Sequence, residues 1–288
     1  MKNYYLIGSP VSHSLSPAMH NLAFHTLGIN ARYGLLEADL TTLSEAVKQL
    51  KSENAAGWNV TMPCKREMCN FCDELSPEAL ISRSVNTVRN VNGTLYGYTT
   101  DGAGFLRTAA EIGFPVRSHD ITILGTGGAA ISILIACALE GADSIHLFYN
   151  RESSAEIIRP LIEKLSDYLK DDAAPAITLE SLHEPDSLNF RLKRTYLLVN
   201  ATIVGMAGSK FENQSPVGDL SHLNHSAGVI DAIYNPRKTA LLELAENAGH
   251  PTANGLPMLL YQGAEAFRIW TGQDMPVDLI RKEVLEKA

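Results

Sequence analysis

Residues 120–149 constrain this chain more than any other stretch. Asp120-Ile121-Thr122-Ile123-Leu124 reads as an apolar strand, and it passes at once into Gly125-Thr126-Gly127-Gly128-Ala129-Ala130. An apolar helical run, Ile131–Glu140, and a second strand, Ser144–Tyr149, complete the unit. A strand, a glycine turn, a helix and a strand within about 30 residues form the outline of a mononucleotide-binding half. The glycines have a chemical reason. A pyrophosphate is anionic, and a helix N-terminus offers unpaired N–H groups and a positive dipole end. The backbone comes close to it only where no Cβ intervenes. Gly125, Gly127 and Gly128 meet that need, with Ala129 next and Ala130 at the place of the usual third glycine, a replacement that the wider fingerprint tolerates. Roughly 20 residues further on, an acid favours NAD and an arginine accommodates the phosphate of NADP. Here the strand ends Tyr149-Asn150-Arg151-Glu152, so Arg151 speaks for NADP and Glu152 for NAD.

The rest of the chain repeats the strand–helix alternation. Strand-like runs are expected at Tyr4–Gly8, Arg32–Glu37, Ala56–Thr61, Tyr196–Asn200 and Gly228–Ala232. Helices are expected at Pro17–Leu27, Leu43–Lys51, from Pro63 to about Asp73, Gly102–Ile112, Leu241–Ala248, and through the tail from Gly255 to Ala288. Val85–Arg89 and Leu95–Tyr98 pair as a hairpin across Val91-Asn92-Gly93, because Asn-Gly is a strong turn signal. The alternation predicts an α/β class with parallel sheets. At roughly 150 residues per domain, 288 residues suggest about two domains. The expected division is 1–101 with 256–288 as a substrate domain, and 102–255 as a Rossmann-like dinucleotide domain, with a cleft between them.

Composition excludes several classes of partner. The net charge of −8 and the lack of a Lys/Arg cluster argue against nucleic acid, whose recognition is led by basic patches. The densest basic stretch, Arg191–Arg194, reads as a solvated loop. No run of about 18 apolar residues offers a membrane span, and the N-terminus lacks a signal-peptide pattern, so the cytoplasm is the expected location. Cys64, Cys69, Cys72 and Cys137 are too few for a disulfide framework in such a chain. Cys69-x-x-Cys72 has no second ligand pair for zinc; it is read as two thiols on one helix face. His20 and His25 are read as structural or surface residues. No metal is expected.

Several polar clusters in the first hundred residues look chemical. Ser14 and Ser16 stand two apart, and in extended backbone their hydroxyls face one way and could hold a carboxylate. Asn59 and Thr61 lie at a strand end, with Lys65 just beyond. Asn86 and the run Thr99-Thr100-Asp101 lie at other strand ends, where ligands of open α/β sheets gather. Each also has an ordinary reading. The serines could be helix caps, Lys65 a surface lysine, Asp101 an N-cap and Asn86 a turn residue.

Taken together, the motifs resemble those of the shikimate dehydrogenase family. The match consists of Ser14-x-Ser16-Pro17, Asn59-Val60-Thr61-x-Pro63-x-Lys65, Val85-Asn86-Thr87, Thr100-Asp101-Gly102-x-Gly104-Phe105, the glycine loop, Asn150-Arg151, Asn200-Ala201-Thr202-x-x-Gly205-Met206, and Gly255-x-x-Met258-Leu259-x-x-Gln262-Gly263-Ala264. It extends over almost the whole chain, from Ser14 to Gln262. The resemblance implies an oxidoreductase that interconverts shikimate and 3-dehydroshikimate, and in some members quinate and 3-dehydroquinate. It implies Lys65 and Asp101 as the catalytic pair and Ser14 and Ser16 on the substrate carboxylate. Asn59, Thr61, Asn86 and Gln262 would bond ring hydroxyls or support the pair, and Tyr234 would join them. Gly125, Gly127, Gly128 and Ala129 would cradle the pyrophosphate, with Asn150, Arg151 and Glu152 near the adenosine ribose. Thr202, Met206 and Gly255 would line the nicotinamide side. The implied partners are a small-molecule substrate and at most a second copy of the chain.

The chain departs from the family pattern at four places. Cys64 stands where His is common, and Thr99 where Asn is usual. After Asn150-Arg151, Glu152 and Ala155 replace a threonine and a second basic residue. The phosphate clamp is therefore half dismantled, and the expected cofactor is NAD, or both NAD and NADP. Two other functions fit the same fold: a dehydrogenase of an amino-substituted or other cyclic hydroxy-acid analogue, and a non-catalytic ligand sensor. A sensor would have no use for Lys65 and Asp101.

Overall fold

In a computed structural model, which describes residues 1–169 and 174–287, the chain divides into two compact units, Met1–Gly104 with Leu260–Ala288, and Phe105–Leu259. The first unit contains β1 (Lys2–Gly8), α1 (Ser16–Thr26), β2 (Ala31–Glu37), α2 (Leu43–Ser52), β3 (Gly57–Val60), β4 (Glu74–Leu75), α3 (Pro77–Ser82), β5 (Thr87–Val91) and β6 (Thr94–Tyr98). Helix α4 (Asp101–Glu111) carries the chain into the second unit. There follow β7 (Asp120–Leu124), α5 (Gly128–Glu140), β8 (Ser144–Tyr149), α6 (Glu152–Leu169), β9 (Ala176–Ser181), α7 (Pro185–Leu192), β10 (Leu197–Asn200), β11 (Gly228–Asp231), α8 (Ala240–Asn247) and β12 (Thr252–Ala253). Helix α9 (Gly255–Thr271) returns to the first unit, which ends with α10 (Val277–Ile280) and a π-helical turn, Arg281–Leu285.

The first sheet has the order β2-β1-β3-β5-β6-β4 and is mixed. β1 is parallel to β2 and β3, whereas β3–β5 and β5–β6 are antiparallel. The β5–β6 hairpin turns at Asn92 and Gly93, both at positive φ (53° and 92°), as a primed turn requires. Its core is aromatic and aliphatic: Tyr4, Phe24, Tyr33, Trp58 and Phe267 are all fully buried. The second sheet, β12-β11-β10-β7-β8-β9, is parallel throughout. Every residue of β10 and β11 is buried, the mark of strands covered on both faces. α5 is buried at Ala130 and from Ser132 to Ala138, which explains a sequence apolar on every side. The strand order reverses between β7 and β10, and this switch point is where such sheets bind ligands.

Two expected elements differ. The helix from Pro63 to Asp73 is a set of turns and one 3-10 segment, Glu67–Phe71. The Lys65 carbonyl accepts from Val85 N at 2.9 Å, and Cys69 N turns instead to the Arg66 carbonyl at 3.3 Å, an i→i+3 bond of the 3-10 kind. Cys69 and Cys72 consequently share no α-helix face; both thiols are free, and burial pushes Cys72 up to about 12. The tail is not one helix either. Gly272, at φ +72°, closes α9 with N–H to the Arg268 carbonyl at 2.8 Å, in the manner of a glycine C-cap, and Pro276 precedes α10. Ala288, the last residue of that expected helix, lies outside the described residues. Among the described residues, no helix is long and apolar enough to cross a membrane.

Candidate active site

The polar residues of the first unit converge at the ends of its central strands, β3 and β5. In the antiparallel β3–β5 pairing, Asn59 stands opposite Thr87, so their side chains share a face. Asn59 Nδ2 donates to Thr87 Oγ1 at 2.9 Å and to the Asn86 carbonyl at 3.1 Å, while Oδ1 accepts from the Tyr33 hydroxyl at 2.7 Å. Asn86 is 2% exposed. It donates to Asp101 Oδ1 at 2.8 Å and Thr100 Oγ1 at 3.0 Å, and accepts from Thr100 N and Thr87 Oγ1, both at 2.9 Å. Asp101 opens α4, and its second oxygen, Oδ2, lies 2.7 Å from Lys65 Nζ. Both carboxylate oxygens are thus paired with donors, which suits a group that in its charged form can only accept. Lys65 and Asp101 keep part of their side chains open to solvent, 29% and 17%. The pair is held from behind and reachable in front.

Thr61 follows β3, its N–H on the Ile7 carbonyl at 2.8 Å. Gly8 lies against it so closely that a Cβ there would fall 2.3 Å from Thr61 Cγ2. Ser14 and Ser16 are not in extended backbone. Leu15 between them is helical (φ −78°, ψ −12°), and Ser14 Oγ accepts from Ser16 N at 3.2 Å. A tight turn into α1, rather than a strand, brings the two serines together, and the cap-like reading of Ser14 is partly realised. Ser16 is buried. Gln262 is half-buried on α9, next to Gly263, where a Cβ would meet Met19 Cε at 3.0 Å of α1. Cys64 is fully buried, its thiol on the Ala38 carbonyl at 3.4 Å, and burial raises its pKa; it packs. Thr99 buries its hydroxyl without a partner among the described residues.

In the second unit the glycine loop leaves β7. Gly125 has φ +108°, and a Cβ there would lie 2.9 Å from the Ala201 carbonyl oxygen, so glycine is required for the β7 and β10 loops to meet. Gly127 and Gly128 are different. They are exposed, and a Cβ at either would meet no protein atom within 4 Å. Gly127 is the N-cap of α5 and no side chain caps that end. The loop therefore shows a bare helix N-terminus facing free space, which fits a dinucleotide pyrophosphate. Ala129 follows at the first turn.

Beyond β8, His183 bonds the Asn150 carbonyl at 2.9 Å. Arg151 is exposed, with no ion pair to a described residue. Glu152 begins α6 and is occupied: the Tyr149 hydroxyl bonds it and holds its carboxyl below the usual range, and Arg159 pairs with it at 3.2 Å. Thr202 is fixed through N–H and Oγ1 on Asn200 Oδ1 at 3.0 and 2.7 Å. Asn200 in turn donates to the buried Asp231 at 3.0 Å, whose pKa burial raises. Met206 and Tyr234 are 38% and 47% exposed on loops joined by Ala207 N to the Asn235 carbonyl, 2.9 Å. Gly255 starts α9, where a Cβ would fall 2.2 Å from the Ala232 carbonyl oxygen. Tyr33, a node of the first unit's network, carried no sequence signal beyond strand alternation, and Thr100 entered the reading only as the residue before Asp101 in its motif, with no role of its own.

Comparison with known proteins places these residues in context. Residues 6–88 match the shikimate dehydrogenase substrate binding domain, and residues 255–285 match the shikimate 5'-dehydrogenase C-terminal domain. A shikimate dehydrogenase (NADP(+)) of Alkaliphilus metalliredigens is 41% identical over 282 residues, covering 98% of this chain and 96% of that one. The crystal structure of shikimate 5-dehydrogenase from Listeria monocytogenes in complex with shikimate and NAD superposes with a TM-score of 0.91 at 38% identity, over 98% and 96% of the two chains. A quinate dehydrogenase from Corynebacterium glutamicum in complex with NAD reaches 0.85 at 26% identity, over 99% of both chains.

Proposed function

Since the chain belongs to the shikimate dehydrogenase family, we propose that it interconverts shikimate and 3-dehydroshikimate with a nicotinamide cofactor. The observation that carries this reading is the Lys65–Asp101 pair at 2.7 Å, backed by Asn86. Oxidising a ring hydroxyl releases a hydride and a proton. A bound nicotinamide supplies the hydride acceptor. The proton leaves the carbinol oxygen for the Lys65 Nζ–Asp101 pair, whose donors and acceptors stay aligned because Asn86, itself fixed by Thr100, holds the carboxylate from the other side. Ser14 and Ser16 hold the substrate carboxylate, while Asn59, Thr61, Asn86, Tyr234 and Gln262 meet or support its hydroxyls. Residues 1–101 with 256–288 supply these groups in the main, and residues 102–255 the cofactor groups.

Gly125, Gly127, Gly128 and Ala129 receive the pyrophosphate on the open N-terminus of α5. Asn150, Arg151 and Glu152 take the adenosine end, and Thr202, Met206 and Gly255 the nicotinamide end. Glu152 is engaged by Tyr149 and Arg159, whereas Arg151 has no ion pair among the described residues. This favours use of NADP as well as NAD rather than NAD alone. Similarity to a quinate dehydrogenase favours quinate as a second substrate.

Steady-state oxidation of shikimate and of quinate, each with NAD and with NADP, tests the reading through the appearance of reduced nicotinamide. Turnover of shikimate is expected with both cofactors. Absence of turnover in all four combinations would refute it.

A further inference from the structure

Tyr33 stands at one end of the network that ends on Asp101, and no motif singles it out. Two backbone groups set the direction of every link. The Asn86 carbonyl can only accept, so the Asn59 amide nitrogen must face it, at 3.1 Å, and Oδ1 is left facing Tyr33. The Thr100 N–H can only donate, so Asn86 Oδ1 must face it, at 2.9 Å, and Nδ2 is left facing Asp101. Thr87 Oγ1 then receives from Asn59 and donates to Asn86. The links therefore run one way: Tyr33, Asn59, Thr87, Asn86, Asp101. Hydroxyls and amides that receive and donate in series polarise one another, and a shift at one end is felt at the other.

Tyr33 is also held more firmly than packing alone needs. Asn21 clamps both of its backbone groups, at 2.8 and 2.9 Å. Its ring lies flat on His20, centroids 4.5 Å apart, and the residue is 2% exposed. The phenol cannot drift without breaking these contacts.

We propose that Tyr33 is a positioning residue for the Lys65–Asp101 pair, acting through Asn59, Thr87 and Asn86, so that the carboxylate facing Lys65 is aligned by one series of bonds that begins on a side chain remote from it. The inference rests on the roles given above to Lys65 and Asp101.

Two near-isosteric variants break the series at different links, Tyr33→Phe and Thr87→Val, and the double variant breaks both. Each single variant is expected to lower kcat for shikimate about tenfold, with KM moved less than about threefold. The double variant should be no slower than the slower single one, since links in series fail once. Merely structural losses would multiply. Lys65 is read independently of any substrate by its acetylation rate with acetic anhydride, against exposed Lys51 by peptide mass spectrometry. Loss of alignment should raise the Lys65 rate at least about threefold in either variant. Unchanged Lys65 labelling, or multiplying effects on kcat, overturns the inference. Altered labelling in a chain that fails to oxidise shikimate upholds it and refutes the substrate reading alone.

Discussion

His20 lies flat against Tyr33, ring planes within 5° and centroids 4.5 Å apart, enclosed by Phe24, Phe267 and Trp270. No polar group meets its Nδ1 among the described residues. Burial alone lowers its pKa from 6.5 to about 3, so the imidazole is neutral in the folded chain while the unfolded chain protonates it below 6.5. The unfolded state then binds the extra proton, and stability falls as pH drops from 6.5 towards 3. The slope from one such group is about 1.4 kcal/mol per pH unit. Urea titrations of wild type and His20→Gln at several pH values should show the variant losing less stability on acidification, by about that slope. Parallel curves would show that His20 is not held neutral.

Asp101→Asn keeps the shape of the side chain and removes the charge facing Lys65. Lys65→Met keeps the stem and removes the amine. Each is expected to lower kcat about 10²–10⁴-fold, the usual worth of a positioned proton-transfer group. Circular dichroism and the melting temperature should stay near wild type, because the pair is partly exposed and contributes little to stability. A variant that keeps near-normal kcat would remove that residue from the proton path.

Cofactor choice should turn on Arg151. It is exposed and has no ion pair among the described residues, and a charge-assisted bond to a phosphate is worth about 1.5–3 kcal/mol. Arg151→Ala is expected to raise KM for NADP about tenfold or more and to leave KM for NAD within about twofold. Glu152→Gln, which removes a negative charge beside the same phosphate, should shift preference towards NADP. Equal effects of Arg151→Ala on both cofactors would show that Arg151 does not read the phosphate.

The loop glycines should separate into two kinds. Gly125→Ala meets both a φ of +108° and the Ala201 carbonyl at 2.9 Å, and should cost about 1–3 kcal/mol of stability, measured by thermal unfolding. Gly127→Ala meets neither and should leave the melting temperature within about 2 °C, in line with surface changes of about 0.5 kcal/mol. Its cofactor binding, followed by nicotinamide fluorescence, should weaken at least about tenfold, because the new methyl occupies the space the pyrophosphate needs. Unchanged cofactor affinity would place the pyrophosphate elsewhere.

Much of this was legible in the residues themselves, and the reason is local. The β7–α5–β8 unit could be read to within a few residues because apolar period, glycine turn and helix length all depend on neighbours in sequence. The Asn92-Gly93 hairpin was legible for the same reason, as was the joint pattern that marks the family. What only the tertiary structure decided depends on partners distant in sequence. Val85, 20 residues on, bonds the Lys65 carbonyl where the local pattern favoured a helix, and the segment forms 3-10 turns instead. Ser14 and Ser16 meet through a turn rather than a strand. Tyr33, 26 residues before Asn59, becomes its hydrogen-bond donor only because β2 and β3 both flank β1. Periodicity records which face of a strand is buried. Which donor meets which acceptor on that face is settled by sheet order and register, and those are properties of the folded chain as a whole.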